Sequence, residues 1–560
     1  MGHPAPPRTA DPTADPRRWV SLTVVLSGAF MILLDATIVN VAIPSVQLDL
    51  GASYGSVEWV VSGYALTFGL SLIPGGRLGD RFGYRRLFVL GMLGFVTASA
   101  LCGIAQTPGQ LIAARVAQGV AAGLINPQIV AIIQVGFPRH ERGRAFSLYG
   151  IVAGVSVAAG PLLGGLLVQA DVASLLWRPI FLINVPIGVV AVLLAARLLP
   201  PTRGRGGALD GVAVVLVALA LSLITVPLIE GRAAGWPAWT WLCLAAAVPV
   251  VALFVRWELR RIRNGQAVLF DLRLLRIRSL AAGAAIGLTY FTGFIGLLFM
   301  LSLHLQLGLG RSALAAGLIL TAFAAGSVIG GALSDRAHAR LGRGVLLLGS
   351  GLAVAGTVGV IITVALTRSG AALIPALFLV GLGNGFTIAP NVDIALESVP
   401  KRESGSVAGL VNTAQRIGNA LGIAIVGVAL FGALGSHAAA AAGTATDDLR
   451  RELVTAGETS EAVDAAVARF THCYVTRAGS VDPTVAPPGC PTGEGADAFT
   501  RAAAIAEADN FSRATRVASW WAAGAVALTF LLALLAPARR RRDPGATSGV
   551  SPDSAVGAAT

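Results

Sequence analysis

Asp35 is an acidic residue in the middle of a long apolar stretch. It lies within residues 20–42, which contain no other charged side chain. An ionisable group inside a bilayer is costly, and its presence there usually indicates a proton relay or a binding site. At a rise of 1.5 Å per residue, Asp35 would lie roughly 22 Å from the start of this stretch if the stretch is a helix. We therefore interpret Asp35 as the group that carries a proton.

A basic residue is available at a similar depth in another apolar stretch. Arg115 lies near the beginning of residues 111–136, which would cross the membrane in the opposite direction. The two side chains can meet, and a carboxylate beside a guanidinium could load and release protons as a cavity opens to each side. The alternative is a static ion pair that only holds two helices together. The other acids near apolar stretches are expected at or beyond helix ends: Asp80, Asp210, Glu230, Asp335 and Asp393.

Small residues cluster in the apolar stretch 145–168. They would let a helix bend and let a neighbouring helix approach closely, because small residues drive packing in lipid. We interpret the cluster as a hinge, and the alternative is the ordinary small-residue packing of any membrane bundle. Its members are Gly154, Gly160, Pro161, Gly164 and Gly165.

A basic, glycine-rich motif connects two other apolar stretches and occurs twice. It reads GGRLGDRFGYRR at residues 75–86 and returns as GGALSDRAHARLGR from Gly330. Its glycines would permit a tight turn, its aspartate could accept hydrogen bonds from helix N-terminal amides, and its arginines could face lipid phosphates. We interpret the first copy as a gating hinge and latch, alongside the simpler role of keeping positive charge on one side. The residues concerned are Gly75, Gly76, Gly79, Asp80, Arg81, Gly83, Arg85 and Arg86.

The composition indicates an integral membrane protein. Of the 560 residues, 55% are hydrophobic and 13% are charged, and the mean hydropathy is +0.74. The net charge of +13 does not indicate a nucleic-acid partner, because the basic residues punctuate apolar stretches. Lys401 is the only lysine, so the chain has no lysine-containing ATP-binding loop, and six histidines argue against a metal site. We predict no catalytic residue and no metal ligand.

The apolar stretches have the length of membrane-spanning helices. A bilayer core about 30 Å thick takes about 20 helical residues to cross. The loops between them hold twenty-two Lys and Arg on one side and four on the other, which predicts that both termini are cytoplasmic. We predict fourteen spans near residues 20–42, 57–74, 87–105, 111–136, 145–168, 177–198, 209–229, 239–256, 280–303, 315–333, 345–365, 373–394, 407–431 and 517–536.

Two echoes in the sequence divide these spans into halves. The basic motif joins spans 2 and 3 and again spans 10 and 11, and PRHERG from Pro138 matches PKRESG from Pro400 before spans 5 and 13. We predict an all-α integral membrane protein with two six-helix halves and two inserted helices. Duplicated halves that rock about a midplane site are how secondary transporters alternate access. The predicted parts are a cytoplasmic tail at 1–18, a first bundle at 19–200, the inserted helices at 201–258, a cytoplasmic linker at 259–278, a second bundle at 279–536 and a basic cytoplasmic tail at 537–560.

Several motifs in these spans are similar to those of one family. LDATIVNVAIP at residues 34–44 resembles a first-helix signature, and RVAQG at 115–119 resembles a buried arginine motif. Together with the basic motif, the glycine cluster and WRPIFLINVPIG at 177–188, they resemble the major facilitator superfamily and, within it, the fourteen-span drug:proton antiporter family. The resemblance covers roughly residues 19–435 and the last span. It adds these motif positions to the candidate site: Asn40, Pro44, Gln118, Gly119, Asn184 and Pro186.

The resemblance implies a proton-coupled multidrug exporter of the plasma membrane. Such a protein moves hydrophobic, often cationic small molecules out of the cell, with protons as the coupling ion and no other cofactor. Its partners would be the small-molecule substrate and the lipid bilayer, and we expect a bacterial protein that acts as a monomer. Two alternatives are a dedicated exporter of one endogenous metabolite or antibiotic, and a non-transporting membrane sensor whose outer loop binds a ligand.

Residues 436–516 form a polar segment that is longer than this family needs. Residues 446–470 could form an amphipathic helix outside the membrane, and a disordered loop is the alternative. Cys473 and Cys490 would face an oxidising compartment and could form a disulfide, although their spacing alone does not show it. The second copy of the basic motif also differs from the first, since Ser334 stands where the first copy has Gly79.

Overall fold

The chain's structure, a computed structural model, describes residues 17–201, 210–266, 268–269, 271–396, 404–479, 490 and 498–535. No β-strand occurs among these residues. The predicted basic tail at 537–560 and nearly all of the tail at 1–18 lie outside the described residues. So do the basic loop residues Arg203, Arg205, Lys401 and Arg402, and the side chains of Asp335 and Asp393.

The first six spans consist of seven helices, because the sixth span is divided at Ile183. They are α1 (Arg18–Leu50), α2 (Tyr54–Phe82), α3 (Tyr84–Gly103), α4 (Pro108–Gly136), α5 (Arg139–Ala170), α6 (Pro179–Leu182) and α7 (Asn184–Leu198). The inserted pair is α8 (Gly211–Ala233) and α9 (Ala238–Arg263). The second half contains α10 (Arg278–Leu303), α11 (Ala313–Leu341), α12 (Gly344–Leu366), α13 (Ile374–Leu396), α14 (Ser404–Thr455), α15 (Ser460–Gly479) and α16 (Ala498–Leu535).

Fourteen spans in the described part are long and apolar enough to cross a membrane, with α6 and α7 counted as one. This confirms the predicted number and the predicted fold class. The helix α15 is not among them. The chain can cross a bilayer in this form because a helix satisfies its backbone hydrogen bonds internally.

Side-chain caps fix where three of the spans begin. Ser53, Thr107 and Ser312 each accept a hydrogen bond from the backbone amide three residues later, at 3.2, 3.3 and 3.2 Å. A cap of this kind satisfies one of the amide groups that have no partner inside the helix. The three capped ends belong to α2, α4 and α11, and in a bundle of alternating spans they lie at the same end of the molecule.

The inserted helices attach to the outside of the bundle. Leu221 of α8 packs with Ala65 of α2 and Ala420 of α14, so α8 spans the boundary between the two halves. The helix α9 lies further out, and its Trp241 and Val248 are 60% and 71% exposed. Such apolar exposure is expected for side chains that face lipid, where burial in protein brings no hydrophobic gain.

The polar segment 436–516 is largely helical in its described part, which we call the cap. The helix α14 continues past the predicted end of span 13 to Thr455, and α16 begins at Ala498, well before the predicted start of span 14. The predicted single helix over 446–470 is wrong, because residues 456–459 interrupt it and Gly457 has a φ of 86°. A small apolar core and a Cys473–Cys490 disulfide join the pieces. That core contains Ala442, Ala445, Leu449, Phe470, Ala502 and Ala506.

The glycines of the basic motif do not form the predicted turn, with one exception. Gly75, Gly76 and Gly79 lie inside α2, and only Gly83 occupies the turn, with a φ of 96°. The helical glycines instead allow α4 to approach closely. A Cβ on Gly75 would collide with a backbone carbonyl of α4, and one on Gly79 would collide with the side chain of Gln128. Gln128 fills this contact by donating a hydrogen bond to the Gly75 carbonyl at 2.9 Å.

The glycine cluster of α5 lies between α1 and α11. A Cβ on Gly164 would lie 2.8 Å from the Ile38 carbonyl oxygen of α1, and one on Gly160 would collide with the Thr37 side chain. A Cβ on Gly165 would lie 2.7 Å from a backbone carbonyl of α11. Gly154, by contrast, has room, because its nearest neighbour would be 3.6 Å away. The helix remains continuous through Pro161.

We expect Gly160→Ala to destabilise the protein, because its methyl group meets Thr37 in a contact with no free space. Overpacking of this kind costs about 1–3 kcal/mol. The matched control is Gly154→Ala, which adds the same methyl group to the same helix at an open position. Thermal unfolding in detergent should show a lower apparent melting temperature for Gly160→Ala only. Equal melting temperatures for the two variants would contradict the close packing of α5 on α1.

Candidate functional site

Asp35 and Arg115 form an ion pair inside the first bundle. Arg115 Nη1 of α4 lies 2.5 Å from Asp35 Oδ2 of α1, and both side chains are completely buried. The guanidinium also donates to the Val60 carbonyl of α2 at 3.0 Å through its Nε atom. The predicted spans put these two residues at one depth, and the structure places them in direct contact.

Amide side chains complete the environment of the Asp35 carboxylate. Gln118 Nε2 and Asn184 Nδ2 donate to Asp35 Oδ1 at 2.9 and 3.1 Å. Both amides also donate to Ser99 Oγ of α3, at 3.2 and 3.1 Å. Four helices therefore contribute to this network, and two of the family-motif positions, Gln118 and Asn184, are part of it. Ser99 was not among the candidate residues, since an isolated serine in an apolar stretch gives no signal in the sequence.

Aromatic rings enclose the guanidinium of Arg115. Its Cζ atom lies 4.1 Å from the ring centre of Tyr64 and 5.5 Å from that of Phe181. Rings placed in this way stabilise a cation through their negative faces. The Tyr64 hydroxyl donates in turn to the Ile32 carbonyl at 3.1 Å. The positive charge is thus held by one carboxylate and two rings in a region without bulk water.

Pro44 links the first-helix motif to the second half of the protein. A proline inside a helix has no N–H, so it leaves the carbonyl four residues earlier without its helical donor. Here that carbonyl belongs to Asn40, and it accepts a hydrogen bond from Ser302 Oγ of α10 at 2.5 Å. Gln306 Nε2, one turn further along, donates to the Val41 carbonyl at 2.9 Å. The motif therefore forms a contact between α1 and α10.

The two remaining motif positions shape the helices around the network. A Cβ on Gly119 would lie 2.5 Å from the Tyr64 carbonyl, so this glycine lets α4 pack closely on α2. Pro186 is the third residue of α7, where a helix needs no amide donor. It follows the break at Ile183 and so helps to start α7 with Asn184 facing Asp35.

The polar residues of the basic motif lie at the turn between α2 and α3, away from the Asp35 network. In the described part of the chain, Asp80 accepts a hydrogen bond from the hydroxyl of Tyr84 at 2.9 Å, whereas the sequence suggested a backbone amide. Arg85 donates to the Ala196 carbonyl at the end of α7. Arg81 lies over the ring of Phe82, at 5.2 Å, and Arg86 is exposed.

Two charged residues inside the spans were missing from the candidate site. Glu58 is 3% exposed and lies within α2, and it already falls inside the predicted span 57–74. Asp35 is therefore not the only buried acid of the first bundle. Arg416 lies within α14, and its Cζ atom is 4.3 Å from the ring centre of Phe68 on α2. Arg416 shares the feature that marks Asp35 in the sequence, a charge inside an apolar stretch.

Sequence comparison identifies the relatives of the chain. The family model described as Major Facilitator Superfamily matches residues 25–423. The probable actinorhodin transporter of Streptomyces coelicolor is 37% identical over 556 residues, which is 97% of this chain and 96% of the relative. The tetracenomycin C resistance and export protein of Streptomyces glaucescens is 33% identical over 423 residues, which is 75% of this chain and 77% of the relative.

Solved structures give the same fold. A bacterial homolog of the human lysosomal transporter Spinster, in an inward-facing and unoccupied conformation, matches with a TM-score of 0.59 at 16% identity, over 93% of this chain and 98% of that chain. A POT family peptide transporter matches with a TM-score of 0.55 at 16% identity, over 85% of this chain and 99% of that chain. At these identities the likeness concerns the fold alone.

We expect Arg115→Met to destabilise the protein strongly, because it leaves the Asp35 carboxylate buried without its counter-charge. Breaking a buried pair on one side typically costs about 3–5 kcal/mol, whereas replacing both charges costs far less. Thermal unfolding in detergent should therefore show recovery when Asp35→Asn is added to Arg115→Met.

The matched control is Arg178→Met, which breaks the 2.8 Å ion pair between Arg178 and Asp49. The side chains of Arg178 and Asp49 are 20% and 22% exposed, respectively. A partly solvated pair contributes only about 1 kcal/mol or less. A double variant as unstable as the sum of its two single changes would contradict the coupling of Asp35 and Arg115.

Proposed function

Because the chain belongs to the major facilitator superfamily, we propose that it exports a hydrophobic small molecule in exchange for protons. The family and the relatives make it a membrane transporter of small molecules and not an enzyme. Several relatives carry names of antibiotic resistance or export, which supports the direction of transport that we propose. The basic loops support an orientation with both termini in the cytoplasm.

The buried Asp35–Arg115 pair is the observation on which the proton coupling rests. Asp35 is a titratable group held by one guanidinium and two amides, at a place where its charge has no water to stabilise it. Protonation would remove the attraction to Arg115 and weaken both amide hydrogen bonds. In the absence of an ATP-binding loop, a charge that crosses with the membrane potential supplies about 2.3 kcal/mol per 100 mV.

The helix α1 offers a route from the proton to the movement of the halves. Asp35 and Asn40 are five residues apart on α1, roughly 8 Å along its axis. One end of this short segment holds the ion pair, and the other end bonds to Ser302 of α10 in the second half. We propose that a change of charge on Asp35 shifts α1 and so alters the contact between α1 and α10.

The proposed rocking would separate three contacts between the halves that lie toward the cap. Besides α1 on α10, Tyr54 of α2 stacks on Phe431 of α14 with ring centres 4.0 Å apart. Gly165 of α5 lies directly against α11. With the proposed orientation, these contacts close the outer side. The glycine cluster of α5 would then let that helix bend, and the basic motif would hold the inner turn between α2 and α3.

A dedicated exporter of one endogenous metabolite is the second candidate. The observation that favours it is the match to the probable actinorhodin transporter, which extends over 97% of the chain and therefore includes the cap. A cap retained along with the spans suggests a role in handling one class of product. This candidate keeps the same proton chemistry and differs in the breadth of substrates.

We expect Asp35→Asn to abolish substrate-driven proton movement. Inside-out vesicles from cells that express the protein are energised so that their lumen is acidic, and lipophilic cations, neutral antibiotics and organic acids are added in turn. A pH-sensitive dye in the lumen should report proton release for the wild type and at least about a tenfold smaller signal for Asp35→Asn, because an amide binds no proton in this range.

The matched control is Asp464→Asn, which removes an acid of the cap whose side chain is 59% exposed. It should behave as the wild type. Normal proton release by Asp35→Asn would show that coupling occurs elsewhere. A response to one compound class alone would favour the dedicated exporter.

A further inference from the structure

Arg416 lies at the boundary between the two halves, near the middle of the membrane. A Cβ on Gly69, which is midway along α2, would lie 2.7 Å from the Cβ atom of Arg416 on α14. The guanidinium extends over the ring of Phe68, 4.3 Å from its centre. Its titratable neighbours are Tyr64 of α2 and Tyr149 of α5. Side chains of α2 and α5 in the first half thus lie around a positive charge that belongs to the second half.

This charge has no carboxylate to pair with in the described part of the chain. No described Asp or Glu oxygen lies within 4 Å of an Arg416 nitrogen. Arg115, the other buried arginine discussed above, lies 2.5 Å from Asp35. Asp35 is already neutralised by Arg115. Glu58 is eleven residues before Gly69 on α2, roughly 16 Å away along the helix axis.

A buried guanidinium without a counter-charge is costly, and a ring face offsets only part of that cost. The side chain of Arg416 nevertheless keeps part of its surface accessible, as do Tyr149 and Asn126 nearby. The Tyr149 hydroxyl donates a hydrogen bond to Asn126 Oδ1 at 3.4 Å, so a phenol and an amide lie side by side. The position therefore combines a positive charge, an accessible aromatic ring and polar hydrogen-bonding groups near the boundary between the halves.

We propose that the partly accessible side chains around Arg416 form the substrate site and that it takes an aromatic organic anion, whose acidic group pairs with Arg416. The partly accessible Tyr149 ring would hold the aromatic part, and the site would reject lipophilic cations. The inference rests on the proposed function as an exporter and replaces the cationic preference that the family resemblance implied. An anion also leaves a cell in the direction that a negative interior favours.

Binding to purified protein in detergent tests the inference without any proton gradient. Three fluorescent probes share the dansyl ring and differ in charge at neutral pH: dansylglycine is an anion, its amide is neutral and dansylcadaverine is a cation. We expect the wild type to bind dansylglycine at least about tenfold more tightly than the amide, and the amide at least as tightly as the cation.

Three variants separate charge from packing. Arg416→Gln should lose at least about tenfold in affinity for dansylglycine and change by less than about threefold for the amide. Arg416→Lys keeps the charge and should retain most of the preference, and it guards against a folding defect in the glutamine variant. Arg368→Gln is the matched control, since it removes a positive charge from a side chain that is 54% exposed, and it should change nothing.

Wild-type protein that shows no preference for the anion, including failure to bind any of the probes, overturns the inference. So does an unchanged preference in Arg416→Gln. If vesicles export substrates while binding shows no charge preference, only this inference fails. If the anion binds through Arg416 but no substrate moves protons, the proton-coupled function fails instead.

Discussion

Two opposite charges inside an apolar bundle stabilise each other only if their geometry is well fixed, because each has given up its water. For Asp35 and Arg115 this requirement falls on the surrounding helices. The amides of Gln118 and Asn184 donate to the Asp35 carboxylate, and both also donate to the Ser99 hydroxyl. These bonds leave α1, α3, α4 and α7 little freedom relative to one another. While both groups are charged, these bonds hold the four helices of the first bundle together around the pair.

Most contacts at the boundary between the two bundles can separate without leaving large polar side chains without hydrogen-bond partners. The boundary includes backbone carbonyls, glycines, a few aromatic rings and the side chain of Arg416. Ser302, for example, bonds there to a carbonyl that Pro44 has freed in α1. Small residues allow close approach in lipid and leave no deep interlocking of side chains. The inserted helix α8 covers this boundary from the outside by contacting α2 and α14. The inserted pair thus contacts both halves through α8 and belongs to neither six-helix bundle.

The sequence predicted the spans well, because the number of apolar residues needed to cross a bilayer is a strong constraint. It also predicted the meeting of Asp35 and Arg115, since their depths follow from the span positions alone. It misjudged Gly75 and its neighbours, because a glycine needed for a turn and one needed for close helix packing look alike in a sequence. Glu58 lay inside the predicted span 57–74 and was overlooked there, whereas the bond from Ser302 to α1 depends on tertiary packing. The cap was misread because an alanine-rich helix continues beyond the apolar residues that mark a span.

The helix α14 runs for 52 residues without interruption, from the inner region of the second half into the cap. At 1.5 Å per residue, the part beyond residue 435 is an arm of roughly 30 Å. Its membrane part packs on α2 of the other half through Gly69 and Arg416. A tilt of this helix by about 10° would carry the far end of the arm about 5 Å sideways, by simple leverage over that length. A tilt of this helix in the membrane would therefore be recorded in the cap, where a reporter dye attached to the arm could measure it.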